Sequence, residues 1–472
     1  MPPSGTAARR HLAALLLLTL LSRVLLLPET PFDVDAVLLT RGVIDFDPTA
    51  MRPHPPGYPG VIFLARSLPV APGTALRLVS ALASVPLVFA TWAVTRRLGG
   101  DALLAGALVA ANPVAWLYGI TENAYGLGAA GAMVTVWAAL GARDRAGSAA
   151  ALVLGLAWGL TGAARPSLLL FMAPLTLWAA RPRRWPALAL GLAGPTALWL
   201  AWCASVSGGL QVYLDAVATQ FSWIREGQPA HWRLHQTHHL MVYLAQAVAG
   251  AALLLPWVRG VPRWRLVGLW VLVPFGFHLL VYVAKPGYVL SYLPAVAIVV
   301  ACAAAPQALR VAAVLVSAGM FLLPTPINIE LDPTPKRPYA EKTPEQVLRS
   351  ELSFLAMTSL GRTRLQDEAN LAYTRLLHPL IEAGHTVILW QDRWDAALAD
   401  HHLPGAEVLD SRTPRYGVPV QGIRLVVLGW AEPEAPGFTL KRDEAGYGAW
   451  VREVSVDDLP LKVGHLELVP AY

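Results

Sequence analysis

Four aspartates crowd the stretch Pro31 to Pro59, PFDVDAVLLTRGVIDFDPTAMRPHPPGYP: Asp33, Asp35, Asp45 and Asp47, with His54 after them. The stretch follows directly on an apolar run, which sets it at a membrane surface. A carboxylate that loses hydration there holds its proton more tightly and becomes a better base near neutral pH. The alternative is that any surface loop needs polar residues. Asp33 and Asp35 also have the D-x-D spacing in which two carboxylates share a hard cation with a diphosphate. That pattern is common by chance, so a single aspartate acting as base is preferred, no metal ligand or cofactor is assigned, and a divalent cation is left open. Pro55-Pro56-Gly57 reads as a turn opening a short interfacial helix.

Cationic groups stand at two later positions. In Gly162-Ala-Ala-Arg165-Pro166-Ser167 an arginine is wedged between two apolar runs, and in Lys285-Pro-Gly-Tyr288-Val-Leu-Ser-Tyr292-Leu-Pro294 a lysine and two tyrosines mark another junction. A charge so placed is costly unless it pairs, which makes it a functional candidate; the plain alternative is snorkelling to lipid headgroups. Arg165 and Lys285 on the same membrane side as His54 suggest a basic pocket for an anionic lipid head. Glu122, in a short turn after Asn112-Pro113, fits either acceptor binding or a solvated turn acid. Between 205 and 237, Gln220, Trp223, Arg225, Trp232 and His235 suit sugar stacking or, equally, an aromatic belt. His231, His235, His238 and His239 have helical zinc spacing, but no cysteine or carboxylate completes a site, and structural zinc is rejected.

The elements that must carry these residues follow from composition. With 472 residues, 55% hydrophobic and 14% charged, and a mean hydropathy of +0.47, the chain cannot present an ordinary wetted surface. Apolar runs near 11–27, 74–95, 102–120, 124–142, 148–164, 166–180, 186–204, 238–257, 266–284, 288–305 and 309–324 predict a polytopic α-helical membrane protein of about eleven transmembrane helices. Arginine clusters at 9–10, 96–97, 143–145, 181–184, 259–265 and 310 all fall on one side if every run crosses once. That makes the N-terminus cytoplasmic and the loops 28–58, 121–124, 205–237 and 285–287 external. The same arginines account for the net charge of +6 by topology, without nucleic acid. Arg9-Arg10 and the run to Leu27 resemble a signal peptide, but Pro28-Glu29-Thr30 is no cleavage site, and an uncleaved first helix is expected. Cys203 and Cys302 both lie in apolar runs and say nothing of compartment. Past Glu330 charge rises to soluble density. Two domains are expected, 1–325 in the membrane and 335–472 as an extracytoplasmic α/β domain with helices near 344–358 and 364–383 and strands at Thr386–Trp390, Val408–Leu409 and Arg424–Leu428.

Taken in order, Asp35 through Asp47, Pro53-His54-Pro55-Pro56-Gly57-Tyr58-Pro59, Gly-x-x-Arg165-Pro166, and Lys285-Pro-Gly-Tyr288 with Leu293-Pro294 resemble the membrane-embedded GT-C glycosyltransferases. Within that class the pattern is similar to the protein mannosyltransferase and aminoarabinose transferase branch (glycosyltransferase family 39-like). The resemblance implies sugar transfer on the external face of a membrane, the bacterial plasma membrane, from a polyprenyl-phosphate-linked donor to a glycan, lipid or protein acceptor. It implies Asp35 as the catalytic aspartate with Asp33 in reserve. His54, Arg165, Lys285 and Tyr288 would hold the donor's lipid phosphate, and Glu122 and Tyr58 the acceptor or sugar. Ala36 stands where relatives usually have an acidic or polar residue, so acceptor handling differs. Two other classes share the hydrophobicity. A transporter or lipid flippase would place its ionisable residues mid-span, and an O-antigen polymerase or ligase would carry a large central loop rich in Arg and His.

Overall fold

The computed structural model describes residues 5–145, 147–226, 232–261, 263–322, 357–382, 386–391, 396–410, 415–420, 423–428, 436–442, 448–463 and 466–470. They form two compact units. One gathers the chain up to Leu27 and from Leu38 through the last apolar helix; the other joins Pro28–Val37 to the chain beyond Gly361. The 28–58 loop, expected to belong wholly with the apolar part, is therefore divided.

The apolar unit is helical. In chain order run α1 (Gly5–Val24), α2 (Val34–Ile44), α3 (Pro59–Arg66), α4 (Pro72–Arg97), α5 (Ala102–Ala111), α6 (Pro113–Leu117), α7 (Tyr125–Asp144), α8 (Ser148–Ala164), α9 (Ser167–Ala180), α10 (Trp185–Val206), α11 (Leu210–Glu226), α12 (Trp232–Val248), α13 (Trp264–Leu280), α14 (Leu293–Ala301) and α15 (Gln307–Leu322). Among the described residues, four stretches are long and apolar enough to cross a membrane: Pro72–Arg97, Tyr125–Asp144, Pro182–Val206 and Gln236–Trp257. Helices α5, α8, α9, α13 and α15 are apolar but shorter. Outward-facing leucines such as Leu198, 77% exposed, and Leu280, 75% exposed, have no place in water and suit lipid.

Helices fall on the expected runs, but the stretches long enough to cross are fewer than eleven among the described residues, and three runs are interrupted. The 102–120 run breaks at Asn112, whose carboxamide oxygen accepts from the Val114 and Ala115 amides and so starts α6 afresh. The Asn112 amide group also donates to Ala247 O at 2.7 Å, where α12 gives way to a 3-10 turn. Arg23, buried in α1, donates to Ala110 O, a carbonyl the break leaves without a helical partner, and lies over the Trp116 ring. The 288–305 run begins instead as a 3-10 turn, Pro286–Ser291, and becomes helical only at Leu293.

Small residues set the close crossing of α8 and α10. A Cβ on Gly155 of α8 would stand 2.2 Å from Leu188 O of α10, and one on Gly191 would stand 2.2 Å from Leu152 O. The two backbones touch with no side chain between them.

The second unit is α/β. Strands β1 (Thr386–Gln391), β2 (Glu407–Asp410), β4 (Ile423–Leu428), β5 (Thr439–Arg442) and β6 (Gly448–Val454) make one sheet in the order β2-β1-β4-β6-β5. Within it β1 runs parallel to β2 and β4, and β6 antiparallel to β4 and β5. Strands β3 (Arg415–Val420), β7 (Leu461–Val463) and β8 (Leu466–Pro470) form a second, in the order β3-β8-β7. Helices α16 (Leu360–Glu382) and α17 (Ala396–His402) complete it. Ala369, Tyr373 and Leu377 of α16 pack with Leu398, Val426, Val451 and Val37 in one core. The three expected strands are present and β3 and β5–β8 are additional; the expected helix near 344–358 falls almost wholly outside the described residues.

Candidate active site

Arg165 closes α8 because Pro166 follows it. Proline disfavours a helical residue before itself, and Arg165 is extended at φ −154°, ψ 102°. The side chain thus leaves from a break between two apolar helices. Its guanidinium carbon lies 4.2 Å from the centre of the Tyr125 ring and 4.5 Å from that of Tyr288, and the residue is only 9% exposed. No carboxylate pairs with Arg165 among the described residues. A cation held against ring faces is stabilised by their quadrupoles while its in-plane N–H groups stay able to grip an oxyanion.

The surrounding elements build that clamp. Tyr288 comes from the Pro286–Ser291 turn, and a Cβ at Gly287 would stand 2.5–2.7 Å from atoms of the Tyr125 ring, so glycine is what lets the two elements meet. Asn123 fixes the turn leading into α7: its amide donates to Tyr118 O and Thr121 O, and its oxygen accepts from the Gly126 amide. His278 of α13 meets Tyr288 edge-on at 5.3 Å and reaches the Tyr292 hydroxyl at 3.3 Å. Lys285 opens the turn, its carbonyl accepting the Tyr288 amide at 3.2 Å, while the Tyr243 hydroxyl donates to Ala284 O and lies in the field of Lys285. Three expected residues, Arg165, Lys285 and Tyr288, therefore share one locality. Tyr125, His278 and Tyr243 join them without having been singled out; a tyrosine or histidine in an apolar run gave no signal.

His54 and Tyr58 pair with each other in the proline turn. Their rings meet at right angles 5.3 Å apart, and His54 Nδ1–H donates to Pro55 O at 2.9 Å. Gly57 and Tyr58 both have positive φ, 96° and 51°, and the Tyr213 hydroxyl of α11 donates to Pro56 O. Gly60 follows, so close to Ala163 and Ala164 that a Cβ would meet their backbone at 2.9–3.1 Å. This seats the start of α3 beside the residues leading to Arg165.

Glu122 does not sit in a solvated turn. It is 2% exposed and pairs with Arg77 of α4 at 3.3 Å, and a Cβ on Gly73 would lie 3.6 Å from its Oε1 and 3.8 Å from the Thr40 hydroxyl. Asp45 and Asp47 are likewise occupied. Arg52 lies 2.6 Å from Asp45 and 3.5 Å from Asp47. Partial burial acts against ionisation of Asp47, yet hydrogen bonds from Thr49 and Ala50 and the charge of Arg52 outweigh it and hold the group below the usual carboxylate range.

Asp33 and Asp35 belong to the other compact unit. Asp33 accepts the Ala36 amide at 3.0 Å and so caps α2. Asp35 stands in the first helical turn, half-buried. Trp223, Arg225, Trp232 and His235 have side chains outside the described residues, and so does His231. Among the described residues no group of three or more metal-binding side chains is assembled.

A unit of apolar helices followed in the chain by a small mixed-sheet unit is an arrangement that solved structures share. In particular the fold is similar to that of ArnT from Cupriavidus metallidurans, with a TM-score of 0.57 at 12% identity over 95% of this chain and 98% of that one. The structure of the same protein bound to undecaprenyl phosphate aligns over the same shares with a TM-score of 0.55. No family model and no curated protein matches the sequence.

Proposed function

We propose that this chain is a membrane glycosyltransferase that moves a sugar from a polyprenyl-phosphate donor to an acceptor hydroxyl. The observation that carries the reading is Arg165, a buried guanidinium held on two tyrosine faces with no carboxylate to neutralise it among the described residues. A permanent cation so placed has no carboxylate counterion among the described residues, and a lipid phosphate is the anion a bilayer can deliver. That a protein of the same fold binds undecaprenyl phosphate supports that choice.

The reaction is a direct displacement at the external face, the N-terminus being cytoplasmic. Asp35 takes the proton of the acceptor hydroxyl, whose oxygen bonds to the anomeric carbon as the bond from that carbon to phosphate oxygen breaks. The configuration inverts and polyprenyl phosphate departs. Phosphate needs no general acid; the charge growing on its bridging oxygen is met by Arg165 and Lys285, with Tyr288 and His54 completing the donor contacts and Tyr58 and Glu122 on the sugar or acceptor side. The choice of Asp35 over Asp33 rests on the sequence pattern.

The test is transfer from a panel of radiolabelled polyprenyl-phosphate sugars in proteoliposomes, wild type against Asp35→Asn at matched folded yield. Transfer by wild type and loss in the variant is expected. Transfer surviving in Asp35→Asn overturns the base assignment, and no transfer from any donor favours a transporter.

A further inference from the structure

Ahead of Asp33 the chain is gripped by a helix from the far end of the sequence. Asp367 of α16 accepts the Glu29 amide at 3.0 Å, the Thr30 amide at 2.9 Å and the Thr30 hydroxyl at 2.6 Å. Asn370, one turn on, donates to the Thr30 hydroxyl oxygen at 2.9 Å and to Pro31 O at 3.1 Å, and Gln366 donates to Asn370 Oδ1 at 3.0 Å. Thr30 is 5% exposed, Asp367 7% and Asn370 0%. Beyond this network Asp33 caps α2 and Val37 enters the core beside Ala369 and Tyr373. The backbone from Glu29 to Val37 is thus fixed at its start, its middle and its end.

Apolar contacts such as those of Val37 are enough to tether a segment. A buried carboxylate is a costly tether, because it must find a donor for nearly every lone pair. What it adds is direction: two successive amides and a hydroxyl converge on one carboxylate, which allows one backbone conformation and excludes slippage. We infer that Asp367 and Asn370 are positioning residues that set the conformation of Glu29–Pro31 and thereby the orientation in which α2 presents Asp35. This rests on Asp35 being the base, and it gives the C-terminal unit a part in catalysis.

The experiment uses the full-length protein in lipid nanodiscs, comparing wild type with Asp367→Asn, Thr30→Val and Thr30→Ser. Hydrogen exchange of the Glu29–Val37 segment and steady-state transfer are both measured. In Asp367→Asn the segment exchanges roughly tenfold faster, and kcat falls about ten- to a hundredfold with KM for the donor unchanged. Thr30→Val, which keeps shape and loses only the hydroxyl, moves both readouts the same way to a smaller extent, and Thr30→Ser restores them. Unchanged exchange, or faster exchange with kcat intact in both Asp367→Asn and Thr30→Val, overturns the inference. An active Asp35→Asn beside an impaired Asp367→Asn overturns the base assignment alone, since the exchange readout does not depend on it.

Discussion

Arg165 differs from the ion-paired arginines in what surrounds it. Arg77 has Glu122, Arg52 has Asp45, and Arg97 and Arg263 share Asp144, whereas Arg165 has two rings. Its replacement by Gln is expected to leave the clamp standing and to lower kcat/KM for the lipid donor by about two to three decades. Arg165→Lys should recover little of that, because an ammonium cannot lie flat against two rings and present a planar fork; donor titrations of the two variants check both statements. At this scale the sequence exposed the charges and hid their partners. Arg165 was legible because a cation interrupts an apolar run. The Arg77 that neutralises Glu122 was not, since one stands in α4 and the other in the turn before α7, and only packing brings them together. Asp35 was put before Asp33 on the sequence pattern alone, and the cap that Asp33 gives α2 was not visible there.

Helices were legible wherever apolar length alone makes a helix, and illegible where one breaks. Asn112-Pro113 was visible as a motif, yet that it splits a run into α5 and α6 depends on Asn112 finding two amides and Arg23 finding the freed carbonyl. The glycine-lined contact of α8 with α10 was equally hidden, because glycine is common in apolar sequence. Its consequence is specific: Gly155→Ala forces a methyl into the Leu188 carbonyl and should cost about 1–3 kcal/mol. Gly194→Ala in the same α10, with nothing within 4 Å of the new methyl, should be neutral or slightly stabilising. Thermal unfolding of both variants in detergent reads the difference.

For the molecule as a whole, the step from apolar to soluble composition announced a second domain, but not that residues 28–37 belong to it. The reason is physical. The groups of α16 that hold the segment are Gln366, Asp367 and Asn370, which in a sequence are indistinguishable from a solvated helix face. The same region carries a pH dependence. Burial first, and the neighbouring His401 second, push His402 from its ordinary 6.5 down to about 4, with Asp367 pulling the other way. As pH falls through 6.5 the unfolded chain takes up this proton and the folded one does not until about 4. The C-terminal unit should therefore be most stable above 6.5 and lose stability across that window, and His402→Gln should flatten the loss; hydrogen exchange of the β-strands against pH checks it.

The span from Thr30 to Asp367, 337 residues, also has a meaning in time. At the usual pace of synthesis, about 5–20 residues per second, the ribosome needs roughly 20–70 s to travel it. Throughout that interval the nascent chain carries Asp33 and Asp35 while the helix that will hold the segment before them does not yet exist. Each helix from α1 to α15 is made before the staple can close, so only a chain translated past Asp367 and Asn370 can acquire the finished conformation of that segment.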